Sequence, residues 1–305
     1  VTLRAQYAVS SLANTDYFDQ LMSGPELLRY YKETGIYSEA EIMTFKEKYF
    51  KETNFQWYKY VYQPAPMYSA DVSVSGGSTG VRYYLSGGAL SQEGLRMGSS
   101  YKKAFGRINV DANLADWAKA NVNTQVSYAD TRVSPFGNNN AVGGGLAAMN
   151  APFASPYDPN TGLELERVPL LDLATPKHVI STNPAKTNAF ILSANGNLTL
   201  TPIKNLTVRS LVGLELNYGD SRSRTLPSYY RAYGNGSSER AYSMASNITI
   251  TNTAAYNMSF GEHHLTALLG HEYTNYKDGN FSASGSGILD DRLFLLNNVT
   301  QNKSV

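Results

Sequence analysis

The sequence has no cysteine, little charge and no long apolar run. The absence of cysteine among 305 residues excludes disulfide frameworks, thiolate metal sites and a cysteine nucleophile. Charged residues make up 17% of the chain and the net charge is +1. No basic face stands out, so the sequence does not predict nucleic-acid binding. A stretch of about 18 apolar residues would predict a membrane-spanning helix, and none occurs.

Aromatic residues, in contrast, are abundant, and tyrosine leads them with 23 residues against 11 phenylalanines. A tyrosine ring is apolar and its hydroxyl is polar, which suits it to the boundary between an apolar phase and water. A membrane-spanning β-strand needs no continuous apolar run, because only every second residue faces lipid. The composition is therefore compatible with a membrane protein built from strands.

Alternation of polar and apolar residues with a period of two is the strongest pattern. It predicts β-strands with one apolar face. The runs are about 11–14 residues long, whereas about 5–6 is usual in soluble proteins and about 9–11 suffice for a tilted membrane strand. A large soluble β-sandwich shows the same alternation, so the pattern alone leaves both architectures open. The runs occupy residues 103–114, 118–128, 190–200, 206–218 and 247–260.

The predicted connections between strands alternate in length. Outer-membrane barrels have short turns on the periplasmic side and long loops outside, whereas Greek-key sandwiches have no reason to keep this order. The alternation therefore favours an all-β, antiparallel transmembrane β-barrel. Short connections are predicted at residues 76–80, 115–116, 201–205 and 261–262, and longer ones at residues 91–100, 131–186 and 220–244.

The same pattern predicts which side chains face lipid, and their neighbours along each strand are expected to face the lumen. The predicted lipid-facing residues are Ala104, Ile108, Val110, Val122, Leu198, Leu214, Ile248 and Tyr256.

One segment departs from the strand pattern and is expected to be helical. Capping boxes at residues 23–26 and 38–41 each predict a helix start, and Gly35 predicts a helix end. The expected helical insert covers residues 14–54, between the first two strands. The order of short and long connections places it on the extracellular side.

No set of residues predicts a metal or catalytic site. His263 and His264 point to opposite faces of a strand, and His271 lies about 25 Å further along it, so the three cannot bind one ion. Asp290 and Asp291 are adjacent and cannot act as a paired acid and base. A glycine run at residues 143–145 lacks the residues of a phosphate-binding loop. An enzyme is not expected, and neither is a cofactor.

Residues 65–111 carry a series of motifs that resembles the SusC/RagA-like TonB-dependent transporters. Weaker similarities at residues 157–162 and 264–272 extend the resemblance along the chain. The matching motifs are Ala65-Pro66-Met67, SVSGGS at residues 73–78, Tyr83-Tyr84, Ser86, QEG at residues 92–94, and the alternating Arg107, Asn109 and Asp111.

The resemblance implies a fold and a function. Proteins of this family combine a plug domain with a barrel of about 22 strands. They import oligosaccharides or peptides with a SusD-like surface lipoprotein, driven by the TonB complex, in the outer membrane of Gram-negative bacteria. Residues 1–305 would then be about ten strands of a larger barrel, whose first and last strands do not pair. The resemblance implies that the plug, through which TonB acts, is missing from this sequence.

The long loops at residues 131–186 and 220–244 are expected to line a substrate vestibule. Tyr229, Tyr230 and Tyr233 lie in the second loop, where aromatic rings could stack on sugar faces. The alternative is that these rings only anchor the loop. Two other functions also stay open, a passive porin and a secreted β-rich adhesin or glycan-binding module.

Overall fold

The computed structural model describes residues 1–49, 54–135, 150–168 and 173–305. The glycine run at residues 143–145, parts of the long connection at residues 131–186 and the end of the predicted insert lie outside these ranges. The strands are β1 (Thr2–Ser10), β2 (Ala65–Gly77), β3 (Val81–Glu93), β4 (Ser100–Ala115), β5 (Ala118–Arg132), β6 (Arg167–Val168), β7 (Leu173–Ala174), β8 (Ala185–Leu200), β9 (Leu206–Thr225), β10 (Gly236–Phe260), β11 (His263–Ile288) and β12 (Gln301–Ser304).

Ten of these strands form one sheet, and β6 and β7 form a separate small one. The strands of the large sheet are arranged in sequence order, with β8 next to β5, and every pairing is antiparallel. The strands β1 and β12 lie at opposite edges and do not pair with each other, as expected. The predicted all-β antiparallel architecture of about ten strands is confirmed.

Helices occupy the connections. Four of the helices that the structure describes lie between β1 and β2, and the fourth lies wholly beyond residue 54, the predicted end of the insert. The carboxylate of Glu26 accepts a hydrogen bond from the Ser23 backbone N–H at 2.8 Å, and Glu41 does the same for Ser38 at 2.7 Å, which confirms both capping boxes. The helices are α1 (Asp16–Asp19), α2 (Gly24–Glu33), α3 (Glu39–Tyr49), α4 (Trp57–Val61) and α5 (Pro176–Thr182).

In the part of the chain that the structure describes, no helix has the length and apolar character needed to cross a membrane.

The strand register collects the apolar side chains on one face of the sheet, called here the apolar face. Val110 lies opposite Val122, and Leu214 lies between Ala194 and Ile248. All eight residues predicted to face lipid are on this face. Ile108 and Val122 are each 49% exposed, so the face is not packed into a dry interior as it would be in a sandwich.

Short and long connections lie at opposite ends of the sheet. The short ones are residues 78–80, 116–117, 201–205 and 261–262, and the longer ones are residues 11–64, 94–99, 133–184 and 226–235. The predicted order is therefore confirmed.

The predicted loop at residues 220–244 is wrong in its bounds, because β9 continues to Thr225 and β10 begins at Gly236. Both strands extend beyond the alternating apolar pattern, so no apolar face marks these residues as strand in the sequence. Asp220 accepts hydrogen bonds from Arg222 (2.5 Å) and Arg240 (3.0 Å), and these bonds support the extension. The predicted strand length of about 11–14 residues is likewise too short for β10 and β11, which have 25 and 26 residues.

Leu214 and Glu215 provide a matched test of the two faces. A cation on the lipid face costs about 2–4 kcal/mol near the bilayer midplane, while a substitution on the lumen face leaves folding largely intact. We expect Leu214→Arg to lower the yield of folded protein in lipid vesicles far more than Glu215→Arg. Equal yields of the two variants would contradict the assignment of faces.

Candidate functional site

The face opposite the apolar face is polar, and its side chains are hydrogen-bonded across strands. This polar face carries the Arg107, Asn109 and Asp111 motif. Arg107 donates to Gln125 Oε1 at 2.9 Å, and Asn121 donates to Asp111 Oδ1 at 2.6 Å. Further along, Arg209 donates to Asn197 Oδ1 at 2.7 Å. Such a surface is suited to a hydrated lumen.

At the end of the sheet with the long connections, the helical insert packs against the connection between β5 and β8. The two form a loop unit, comprising residues 16–49, 54–61 and 150–168. Its shared core includes Leu28, Ile42, Phe45, Trp57, Phe153, Ala154 and Val168.

Trp57 is the central contact of the loop unit. Its side chain is 2% exposed, and its indole N–H donates to the backbone carbonyl oxygens of Ala151 (3.2 Å) and Ala154 (3.0 Å). The neighbouring Phe55 N–H donates to the Pro152 carbonyl at 2.6 Å. A buried indole with a satisfied N–H holds two segments together that are about a hundred residues apart in the sequence.

A second link joins Tyr60, Glu164 and Lys177. The Tyr60 hydroxyl donates to one oxygen of Glu164, and the Lys177 ammonium lies 2.9 Å from the other. Burial, followed by the hydrogen bond to Glu164, raises the pKa of Tyr60 far above its ordinary value. The same carboxylate raises the pKa of Lys177. Tyr60 therefore stays a neutral donor through the ordinary alkaline range.

A cleft of about 440 Å³ opens between α1, α2, α4 and residues 150–152. Phe18 stacks on Tyr58 in its wall, with ring centroids 4.7 Å apart. The backbone N–H and hydroxyl of Ser23 lower the pKa of Glu26, which therefore stays ionised. The lining combines aromatic and aliphatic side chains with hydrogen-bonding ones, as in sites that bind organic ligands. It includes Phe18, Asp19, Met22, Ser23, Glu26, Leu27, Asn54, Gln56, Trp57 and Tyr58.

The three predicted loop tyrosines differ in exposure. Tyr229 is 8% exposed and packs against Ala174 and Val179, so its ring anchors the loop. Tyr230 lies 5.3 Å from the Tyr229 ring and is partly buried. Tyr233 is 90% exposed and stays a candidate for contact with a substrate.

The cleft could not be predicted from the sequence. Its lining residues come from three separate segments, residues 18–27, 54–58 and 150–152, and no periodic pattern relates them. The one available signal was the density of aromatic residues around Trp57, in the sequence Phe-Gln-Trp-Tyr-Lys-Tyr-Val-Tyr at residues 55–62.

Within the described ranges, no group of three or more His, Asp or Glu side chains is placed to hold a metal ion. His264 instead contacts the Ser259 hydroxyl through its Nδ1 at 2.9 Å.

Comparison with known proteins gives two kinds of similarity. The chain is 32% identical over 123 residues to the TonB-dependent receptor P26 of Formosa agariphila, which covers 40% of this chain and 12% of that protein. No protein-family model matches the sequence.

The fold is similar to that of the RagAB peptide transporter, with a TM-score of 0.86 and 26% identity, over 98% of this chain and 37% of that chain. Structures of the RagAB peptide importer in its closed-closed and open-open states give the same TM-score of 0.86, at 25% and 26% identity. The chain thus spans about a third of the length of these proteins. The resemblance to the SusC/RagA-type TonB-dependent transporters is confirmed.

Replacing Trp57 tests the loop unit. Truncation of a buried tryptophan costs about 3–5 kcal/mol, so Trp57→Ala should increase amide hydrogen exchange throughout residues 16–49, 54–61 and 150–168 while the sheet stays protected. The matched control is Trp117→Ala in the turn between β4 and β5, where the side chain is 54% exposed. Equal effects of the two variants on the loop unit would refute the assignment.

Tyr60 gives the loop unit a pH dependence. Its pKa is raised by folding, so the native state keeps a proton that the unfolded state loses above about pH 10. Stability from this group is therefore complete below that pH and declines as the pH rises. Tyr60→Phe should weaken the loop unit by about 1–2 kcal/mol at pH 7, with a smaller difference above pH 10. Proteolysis of the loop unit across this range measures the effect, and a difference that grows with pH would contradict it.

Proposed function

We propose that this chain is part of the barrel of an outer-membrane, TonB-dependent importer of an oligomeric nutrient, a peptide or an oligosaccharide. The observation that carries the proposal is the two-faced sheet of ten antiparallel strands, with a TM-score of 0.86 against the RagAB peptide transporter over 98% of the chain. A Gram-negative outer membrane is the environment in which an exposed apolar face and a polar face on one sheet are both stable.

In this function the polar face forms part of the lumen, and the loop unit and Tyr233 lie at the extracellular entrance. The cleft beside Trp57 offers a nutrient chain both aromatic surface and hydrogen-bonding groups. A SusD-like lipoprotein would cover the same end of the barrel and deliver the substrate. The TonB complex would act through a plug domain inside the barrel, and no catalytic step is involved.

Peptides are the first substrate class to test, because the solved structures with the same fold are of a peptide transporter. Uptake of labelled peptides by intact cells should depend on the gene and stop when a protonophore removes the proton gradient. An oligosaccharide pool tested in parallel distinguishes the two cargo classes.

Uptake that continues after the proton gradient is removed would contradict the proposal and indicate a passive porin. Tyr233→Ala should raise the substrate concentration needed for half-maximal uptake without changing the amount of protein in the membrane. Tyr229→Ala is the matched control, and it should disturb the loop fold instead, because its ring is buried.

A further inference from the structure

The apolar face carries a groove near the end with the long connections. Its floor is a row of four alanines that lie directly opposite one another on β1 to β4, namely Ala5, Ala70, Ala89 and Ala104. Tyr128 lies opposite Ala104 and bounds the row on one side. The Tyr7 and Tyr68 rings, 5.1 Å apart, rise above its other side. The groove holds about 840 Å³.

A second depression of about 360 Å³ continues the groove toward the middle of the apolar face. It lies over Gly87 and Gly106, which are directly opposite each other and two residues further from the long connections than Ala89 and Ala104. A Cβ atom at Gly87 or at Gly106 would make only ordinary contacts, the nearest at 3.5 Å and 3.6 Å. Packing within the sheet therefore does not require glycine there, and the missing side chains leave room for a ligand close to the backbone.

Basic side chains lie just above the head of the groove. Lys102 lies two residues before Ala104 on β4 and directly opposite Asp130 on β5. The carboxylate of Asp130 forms an ion pair with Lys186, at 2.5 Å. Arg132 is the diagonal neighbour of Lys102, at a backbone distance of about 7–8 Å. Among the described residues, the side chains of Lys102 and Arg132 have no hydrogen-bond or ion-pair partner. Both long side chains can therefore reach a single anion.

The positive charge continues across the sheet from Arg132. Four basic residues on neighbouring strands lie directly opposite one another and form a cationic row. They are Arg132 on β5, Lys186 on β8, Arg222 on β9 and Arg240 on β10. Like charges placed directly opposite repel each other. Asp130, Asp220 and Glu93 are the acids on this part of the face, and they leave an excess of basic groups. An adjoining cavity of about 330 Å³ is lined by Arg132, Lys186, Arg222 and Arg224.

We infer that this groove binds a phosphorylated, acylated lipid of the outer leaflet, with acyl chains along the alanine floor and the phosphate between Lys102 and Arg132. The inference rests on the proposed membrane location. Tyr128 lies at the level of the groove, and aromatic side chains mark the membrane interface. Lys102 and Arg132 lie about 7 and 14 Å further along their strands, at the depth of the headgroups. The apolar floor and the basic head match the two parts of such a lipid.

The test uses the full protein in nanodiscs of phosphatidylcholine with a minor fraction of diphosphoryl lipid A, followed by gentle delipidation and native mass spectrometry. The wild-type protein should retain lipid A. Ala89→Trp fills the groove and should lower retention several-fold. Ala254→Trp is the matched control, because Ala254 lies on the apolar face between Val208 and Leu269, outside the groove, and it should retain the lipid as the wild type does.

The phosphate contact is tested by the double substitution Lys102→Gln and Arg132→Gln. These changes should lower retention of diphosphoryl lipid A and leave retention of its dephosphorylated form unchanged. Equal retention by Ala89→Trp and Ala254→Trp, or equal retention of the two lipids by the wild type, would overturn the inference while leaving the proposed transport function intact. Failure of the wild-type protein to insert into the nanodiscs would overturn both.

Discussion

The backbone hydrogen bonds between neighbouring strands are the interaction on which the rest of the structure depends. In hydrocarbon no water replaces a missing partner, so each N–H and C=O must pair within the protein. Sequential antiparallel pairing provides these partners between neighbouring strands from β1 to β11, whereas within the described residues the outer edge of β1 has no strand partner and β12 pairs with only one end of β11. Because this pairing fixes the register, it also fixes which side chains share a face. The apolar face, the polar face and the groove on the apolar face all follow from it.

The two ends of the sheet are built differently. At one end the strands are joined by short turns of only a few residues. At the other end β9 and β10 extend beyond the apolar pattern, where Asp220 bonds with Arg222 and Arg240. The loop unit there has its own core around Trp57. This core allows the loop unit to keep its own shape at the end of the strand scaffold.

The periodic part of the fold could be predicted from the sequence, and the rest could not. A period of two is local, so Leu214 and Ile248 could be placed on one face before their pairing was known. The capping boxes at Ser23 and Ser38 are local as well. Contacts such as Trp57 with Ala154 join distant segments and leave no periodic signal. The exposures of Tyr229 and Tyr233 likewise depend on how one loop packs, which their sequence positions do not encode.

The central claim is that the apolar face meets lipid and the polar face meets water. Because the chain has no cysteine, single cysteines can be introduced at successive positions from residue 206 to residue 218 of β9 and spin-labelled in the membrane-embedded protein. Accessibility to oxygen, which concentrates in lipid, should peak at even-numbered positions such as Val212 and Leu214. Accessibility to a water-soluble nickel complex should peak at odd-numbered ones such as Glu215. An oscillation of opposite phase, or none, would contradict the account.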